Sequence, residues 1–177
     1  MRLKRTLITI LFVIAFFVLQ STLVNYIKLG SVSPNICLIL IITIAYCNGP
    51  VYGTVFGFIM GFLFDIFFGN FLGFNSILYV LTGYLCGLLN KFFFDYNFEL
   101  KIPSMMFLAS SLIHNLITYI CFFLLDGDLN FIYYLKKIII PEIIYTFIAG
   151  VFIYRILYMI DQKISLDERK ADGYFVS

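Results

Sequence analysis

The fold is decided by residues 49–73, which read GPVYGTVFGFIMGFLFDIFFGNFLG. Between Pro50 and Gly69 the only charged residue is Asp65, and glycine recurs at every fourth position except where Asp65 stands. On an α-helix this spacing lines up small residues along one slowly winding face, so that a second helix can approach closely. Such a face is typical of helices that pack inside a membrane. The series comprises Gly49, Gly53, Gly57, Gly61, Gly69 and Gly73.

The composition extends this interpretation to the whole chain. Of its 177 residues, 62% are hydrophobic and 12% are charged, whereas a soluble domain is about 45–50% apolar and about 25% charged. The excess is concentrated in six apolar runs, most of them near the length of about 20 residues that a helix needs to cross a bilayer. We therefore predict an all-α integral membrane protein, a bundle of about six transmembrane helices in a single polytopic domain. The predicted spans are residues 6–26, 31–48, 51–68, 72–90, 103–125 and 137–160, with a polar cytoplasmic tail at 161–177.

The first and second predicted spans differ from an ordinary membrane span. The first follows a basic N-terminus like that of a signal peptide, but it is too long for a signal sequence and no small-residue cleavage site closes it. We interpret it as an uncleaved anchor. The second is short and meets the third at Asn48-Gly49-Pro50, a strong turn signal. The second and third spans could instead be one broken element.

The distribution of basic residues predicts the orientation. With six spans both termini lie on the same side, and that side holds eight of the 12 Lys and Arg residues. Three lie on the other side, and Arg155 lies within the last span. Because basic loops stay in the cytoplasm, both ends are predicted to be inside. The net charge of +2 is too small to indicate nucleic-acid binding.

The glycine face and its carboxylate each have two interpretations. The glycines could pack against the fourth span, which offers Tyr79, Gly83 and Gly87. They could instead dock the single transmembrane helix of a partner. Asp65 could be a helix-end carboxylate that hydrogen-bonds to the Gly-Asn turn after it. Since a charge at membrane depth is costly, it could also be a polar contact for a partner, or an ion or substrate site.

Other polar residues interrupt the apolar spans, mostly in the predicted outer half of the membrane. Because polar groups in hydrocarbon must find partners, we expect them to face the bundle interior or another protein. His114 is the only histidine, and without neighbouring ligands we interpret it as a hydrogen-bonded packing residue. Pro141 is expected to end or kink a helix unless it lies in the first turn. The polar groups predicted in the outer half are Gln20, Asn25, Asn35, Asp65, Asn75 and Glu142. The fifth span adds a polar stripe of Ser110, Ser111, His114, Asn115 and Thr118.

No catalytic or metal-binding motif is recognisable. The chain contains no His-Glu-x-x-His, Gly-x-Ser-x-Gly or P-loop sequence. Its four cysteines lie inside apolar runs at no metal-ligand spacing, where a cysteine acts as a small hydrophobic residue. We therefore predict a protein that is not an enzyme and has no cofactor or metal.

The residues of the second to fourth spans resemble a known family. Pro34-Asn35 opens the second span, and the run G-x-x-x-G-F-x-x-G-x-x-x-D-x-x-x-G-x-x-L-G extends without a break from Gly53 to Gly73. Gly83 and Gly87 follow in the fourth span. In these features the chain resembles the rod shape-determining protein MreD family, and its size and basic N-terminus also fit.

The resemblance implies a non-enzymatic role in the bacterial cytoplasmic membrane. Its expected partners are an MreC-like bitopic membrane protein, an MreB-like actin homologue, and the glycosyltransferase and transpeptidase of lateral cell-wall synthesis, together with membrane lipid. The resemblance also implies a fold similar to the six-helix substrate-binding subunits of energy-coupling-factor transporters.

Two hypotheses follow. The first is a membrane scaffold for cell elongation and rod shape, in which the glycine face docks membrane helices and Asp65 anchors one end. The second is a vitamin-type substrate-binding subunit of a transporter, which requires one cavity lined by Gln20, Asp65, His114 and Glu142.

Overall fold

The computed structural model describes residues 2–22, 32–69, 71–93, 101–126 and 131–171. Within these ranges the secondary structure is helical and no β-strand occurs, which confirms the all-α prediction. A π-helical segment, Leu135–Ile139, connects the last two helices. The helices are α1 (Arg2–Ser21), α2 (Ile36–Asn48), α3 (Pro50–Phe68), α4 (Phe74–Phe93), α5 (Lys101–Asp126), α6 (Phe131–Tyr134) and α7 (Ile140–Ala171).

The short helix α2 forms the centre of the bundle. Every residue from Ile36 to Ala45 is buried, because α1, α3, α4, α5 and α7 all pack around it. The sequence of α2 is apolar on all sides, as expected of a helix without a solvent-facing surface. At about 1.5 Å per residue, its 13 residues extend about 20 Å, which is less than the hydrocarbon thickness of about 30 Å.

α2 and α3 are two separate helices. Gly49 adopts a left-handed backbone with φ of 89° and lies between them. Pro50 then occupies the first turn of α3, where a missing N–H removes no helical hydrogen bond. α2 begins later than the predicted residue 31, because Asn35 caps it by accepting a hydrogen bond of 2.9 Å from the backbone N–H of Leu38.

The sixth predicted span is longer than expected and does not end at Pro141. It begins at Phe131, six residues before the predicted start, and the helix continues to Ala171, well into the predicted tail. Pro141 has no N–H to donate to the carbonyl four residues earlier. The π-helical segment directly before it accommodates this loss, since the N–H of Ile140 reaches back to the carbonyl of Leu135.

The outer surface of the bundle is apolar, as a membrane protein requires. Large side chains such as Leu11, Val51 and Phe152 are 67%, 70% and 70% exposed. Three described helical segments, Pro50–Phe68, Pro103–Cys121 and Ile132–Leu166, are long and apolar enough to cross a bilayer. The shorter apolar helices are Arg5–Ser21, Ile36–Asn48 and Phe74–Asn90. The predicted end of the first span, residues 23–26, lies outside the described residues.

Candidate functional site

The glycine face of α3 lies directly against the backbone of α4. A Cβ atom added to Gly57 would lie 2.5 Å from the carbonyl oxygen of Tyr79, and one added to Gly53 would lie 2.6 Å from that of Gly83. An added Cβ at Gly61 would collide with the backbone of Ser76. The two helices therefore touch along their length with no side chain between them. Of the two interpretations of the glycine face, this is packing within the chain rather than docking of a partner's helix.

The glycines of α4 complete the same contact from the other side. An added Cβ at Gly83 would collide with the backbone of Gly53, and one at Gly87 with the backbone of Pro50. Glycines of α3 and glycines of α4 therefore each lie against the backbone of the other helix. Because α4 covers this face of α3, a partner's helix would have to bind a different surface of the described bundle.

Asp65 caps the N-terminus of α4. One carboxylate oxygen accepts hydrogen bonds from the backbone and side-chain N–H groups of Asn75 (2.9 and 3.0 Å). The other accepts from the backbone N–H of Gly73 (3.0 Å) and from the N–H and hydroxyl of Ser76 (3.0 and 2.6 Å). With 1% exposure, this carboxylate satisfies helix-start N–H groups that would otherwise be unpaired in an apolar environment.

The turn between α3 and α4 is shaped around this carboxylate. Gly69 ends α3 by donating its N–H to the carbonyl of Asp65, and Gly73 takes a φ of 95°, which favours glycine. Among the described residues, the partners of the carboxylate are Gly73, Asn75 and Ser76, which come after the predicted Gly-Asn turn. No clear signal for them was present in the sequence, since Asn75 and Ser76 lie inside the first turn of α4 rather than at the N-cap position, where such residues are typical.

A polar network surrounds the N-terminus of α2. Gln20 of α1 accepts a hydrogen bond from the N–H of Ile36 (2.8 Å) and donates one to the carbonyl of Pro34 (3.2 Å). The N–H of Asn35 donates to the hydroxyl of Thr146 on α7 (3.1 Å). Tyr79 of α4 donates its hydroxyl to Asn35 Oδ1 (3.1 Å). Three helices thus converge on the buried start of α2.

The polar residues of α5 adjoin this network. The ring of His114 stacks on that of Tyr79, with centroids 5.6 Å apart. Asn115 donates to the carbonyl of Ser111 (3.0 Å), and its side chain lies near Glu142 of α7. Among the described residues, Ser111 Oγ and His114 Nδ1 are buried without a hydrogen-bond partner. Thr146 was missed, and Tyr79 was predicted only as part of the packing face for the glycines, because an aromatic residue or a threonine in an apolar run carries no distinctive polar signal.

Comparison with known families identifies the chain. The model of the rod shape-determining protein MreD matches residues 1–164. The chain belongs to the MreD family. This confirms the resemblance carried by Pro34-Asn35 and the glycine run. No curated protein and no solved structure matches the chain, so the predicted likeness to transporter subunits stays a prediction.

Membership of the MreD family establishes the general role. MreD proteins are membrane proteins of rod shape determination, and they belong to the MreB/MreC shape complex. The family is a structural one rather than a known enzyme family. Within the described residues, His, Cys, Asp and Glu form no group of three that could hold a metal ion.

Two cavities of this MreD-family chain bear on the transporter hypothesis. A cleft of about 160 Å³ separates α4 from α5 and is apolar except for a few side chains, including Thr82, Ser110 and His114. A smaller cavity of about 40 Å³ lies between α1, α2 and α7. Neither is lined by Gln20, Asp65 or Glu142. The structure therefore does not bring the four side chains of the transporter hypothesis around either cavity.

Proposed function

We propose that this protein is a non-enzymatic scaffold of the bacterial cell-elongation complex, which maintains rod shape by holding its partners through helix–helix docking in the cytoplasmic membrane. The observation that carries the proposal is the family match over residues 1–164. The proposed topology is six spans with both termini in the cytoplasm. The proposed partners are the MreC-like bitopic protein, the MreB-like actin homologue, and the glycosyltransferase and transpeptidase of lateral cell-wall synthesis.

The hydrogen-bonding pattern supports a scaffold. Asp65 and Gln20 bond to the starts of neighbouring helices. Asn35, at the start of α2, bonds to Tyr79 of α4 and Thr146 of α7. Each of these bonds fixes one helix relative to another, so the polar groups serve the shape of the bundle. A docking protein needs such a rigid frame, because a preorganised surface loses less entropy when it binds.

The tight α3–α4 pair also supports docking at an outward surface. Since the glycines face α4, α3 turns Val55, Phe58 and Phe62 outward, and these are 46–52% exposed. The rings of Phe58 and Phe62 stack with centroids 5.8 Å apart. We infer that partner helices bind outward side chains of this kind.

A photo-crosslinking scan tests the proposal with one exposed position on each long helix. A photoreactive amino acid replaces one of five side chains that are 51–70% exposed: Leu11 (α1), Phe58 (α3), Leu85 (α4), Ile113 (α5) or Phe152 (α7). The cells co-express the bitopic partner, and a variant at buried Met60 is the matched control. Adducts with the bitopic partner at one or two adjacent helices are the expected result. Adducts with lipid alone at all five positions would refute helix–helix docking.

A further inference from the structure

The smaller cavity lies where α1 begins, where α2 ends, and beside the middle of α7. It has a volume of about 40 Å³. Apolar side chains form much of its wall, but polar groups from all three helices reach it. These are Arg5 and Thr9 of α1, Thr43 and Asn48 of α2, and Asp161 of α7.

The uncharged polar groups around the cavity present hydrogen-bond acceptors. The hydroxyl of Thr9 donates to the carbonyl of Arg5 (2.9 Å), and that of Thr43 donates to the carbonyl of Ile39 (2.8 Å). Each hydroxyl has one hydrogen, so both offer only lone pairs to a further ligand. The side-chain oxygen of Asn48 is buried and accepts no hydrogen bond. An unpaired buried acceptor of this kind is costly, so the site favours a ligand that donates.

The charged residues beside the cavity restrict the kind of hydrogen-bond donor that can bind there. Arg5 and Asp161 form an ion pair of 2.6 Å across it, and each side chain is 21% exposed. The pair is neutral overall, and its guanidinium disfavours a second cation in so small a space. A partly buried ion pair is also stabilised when its remaining lone pairs are hydrogen-bonded. A small neutral donor meets both conditions.

We propose that this cavity, which is partly open to the surface, is a hydration site. One water needs at least about 10–15 Å³ of such space, so the cavity holds about two or three. These waters donate to Asn48 Oδ1 and the Thr43 hydroxyl of α2, and through Thr9 of α1 and Asp161 of α7 they join the three helices at this end of the bundle. The site is independent of the proposed function, because it involves no partner protein.

The direct test is a map of the full-length protein at a resolution that shows waters. We expect separate peaks within hydrogen-bonding distance of Asn48 Oδ1 and Thr43 Oγ1. An empty cavity, or continuous density from an acyl chain, would overturn the proposal.

A matched pair of variants gives an independent readout. Thr43→Val and Thr54→Val each remove a hydroxyl that donates to the carbonyl four residues earlier (2.8 Å in both), but only Thr43 lines the cavity. If water is bound, Thr43→Val lowers the thermal midpoint by about 4 °C more than Thr54→Val, because the water loses a partner. In a dry apolar cavity the added methyl group would be tolerated, and an equal or higher midpoint for Thr43→Val would contradict the proposal.

Discussion

Replacing Gly57 by valine should separate α3 from α4. The first added carbon would lie 2.5 Å from the carbonyl oxygen of Tyr79, and ordinary van der Waals contact begins at 3.4 Å. The helices must therefore move apart by about 0.9 Å. A gap of about 0.5–1 Å removes roughly a quarter to a half of the dispersion attraction between facing atoms. A shift of one side chain cannot relieve this clash, since the obstructing atom belongs to the backbone of α4.

The expected cost follows from these distances. Overpacking a closely packed site typically costs about 1–3 kcal/mol, and a valine placed against a backbone belongs in the upper half of that range. Valine is a better helix former than glycine by about 0.5 kcal/mol, so about 2 kcal/mol remains. For a chain of this size, we expect the thermal midpoint to fall by about 4–8 °C.

Buried cysteines provide the assay. Cys37 and Cys86 are 0% and 3% exposed, so a thiol-reactive fluorogenic dye labels them in detergent only as the bundle opens. Val55→Leu, which enlarges a side chain that is 49% exposed on α3, is the control for insertion and helix formation. Gly150→Ala is a milder case, because its added carbon meets the side chain of Phe107 at 2.9 Å and that ring can shift. A midpoint for Gly57→Val equal to that of Val55→Leu would refute the packing argument.

Three further predictions concern the cap, the ion pair and the π-helical segment. Asp65→Asn should lower stability by about 2–3 kcal/mol, because an amide nitrogen would face N–H donors at the start of α4; a midpoint within error of wild type would contradict the capping role. Arg5→Asp should cost about 1 kcal/mol, and the double variant with Asp161→Arg should restore the midpoint if the pair acts directly. Pro141→Ala should restore a regular α-helix and rotate the residues before it, which would separate Tyr134 from Tyr119, whose rings now lie 5.1 Å apart. Disulfide formation between Tyr119→Cys and Tyr134→Cys, compared with and without Pro141→Ala, measures that movement.

The helix pairing was predictable where a local rule determines it. The glycine spacing predicted close packing, and Gly83 and Gly87 in the next span indicated its intramolecular partner. Asp65 was recognised as unusual, but its interpretation stayed open. Choosing between a cap and a partner contact requires the distance to Asn75 and Ser76, and that distance depends on how tightly the turn closes around Gly73.

The polar network was predictable only in part. Gln20, Asn35, His114, Asn115 and Glu142 were recognised because polar groups are rare in apolar runs. Their partners were not, since hydropathy does not determine how one helix is rotated against another. The contact between Gln20 and the start of α2 depends on that rotation. The π-helical segment before Pro141 was missed for a different reason, because proline predicts a disturbance of the helix without specifying how the backbone absorbs it.

The burial of α2 has a consequence for how the protein is made. A segment of 13 residues is too short to insert into a bilayer as an independent span, and only Gly49 separates it from the longer α3. We therefore expect α2 to enter the lipid together with α3, as a helical hairpin, once α3 has emerged during synthesis. The central helix α2 would thus be inserted together with α3. A substitution that weakens the hydrophobicity of α3 would consequently appear first as a failure to position α2.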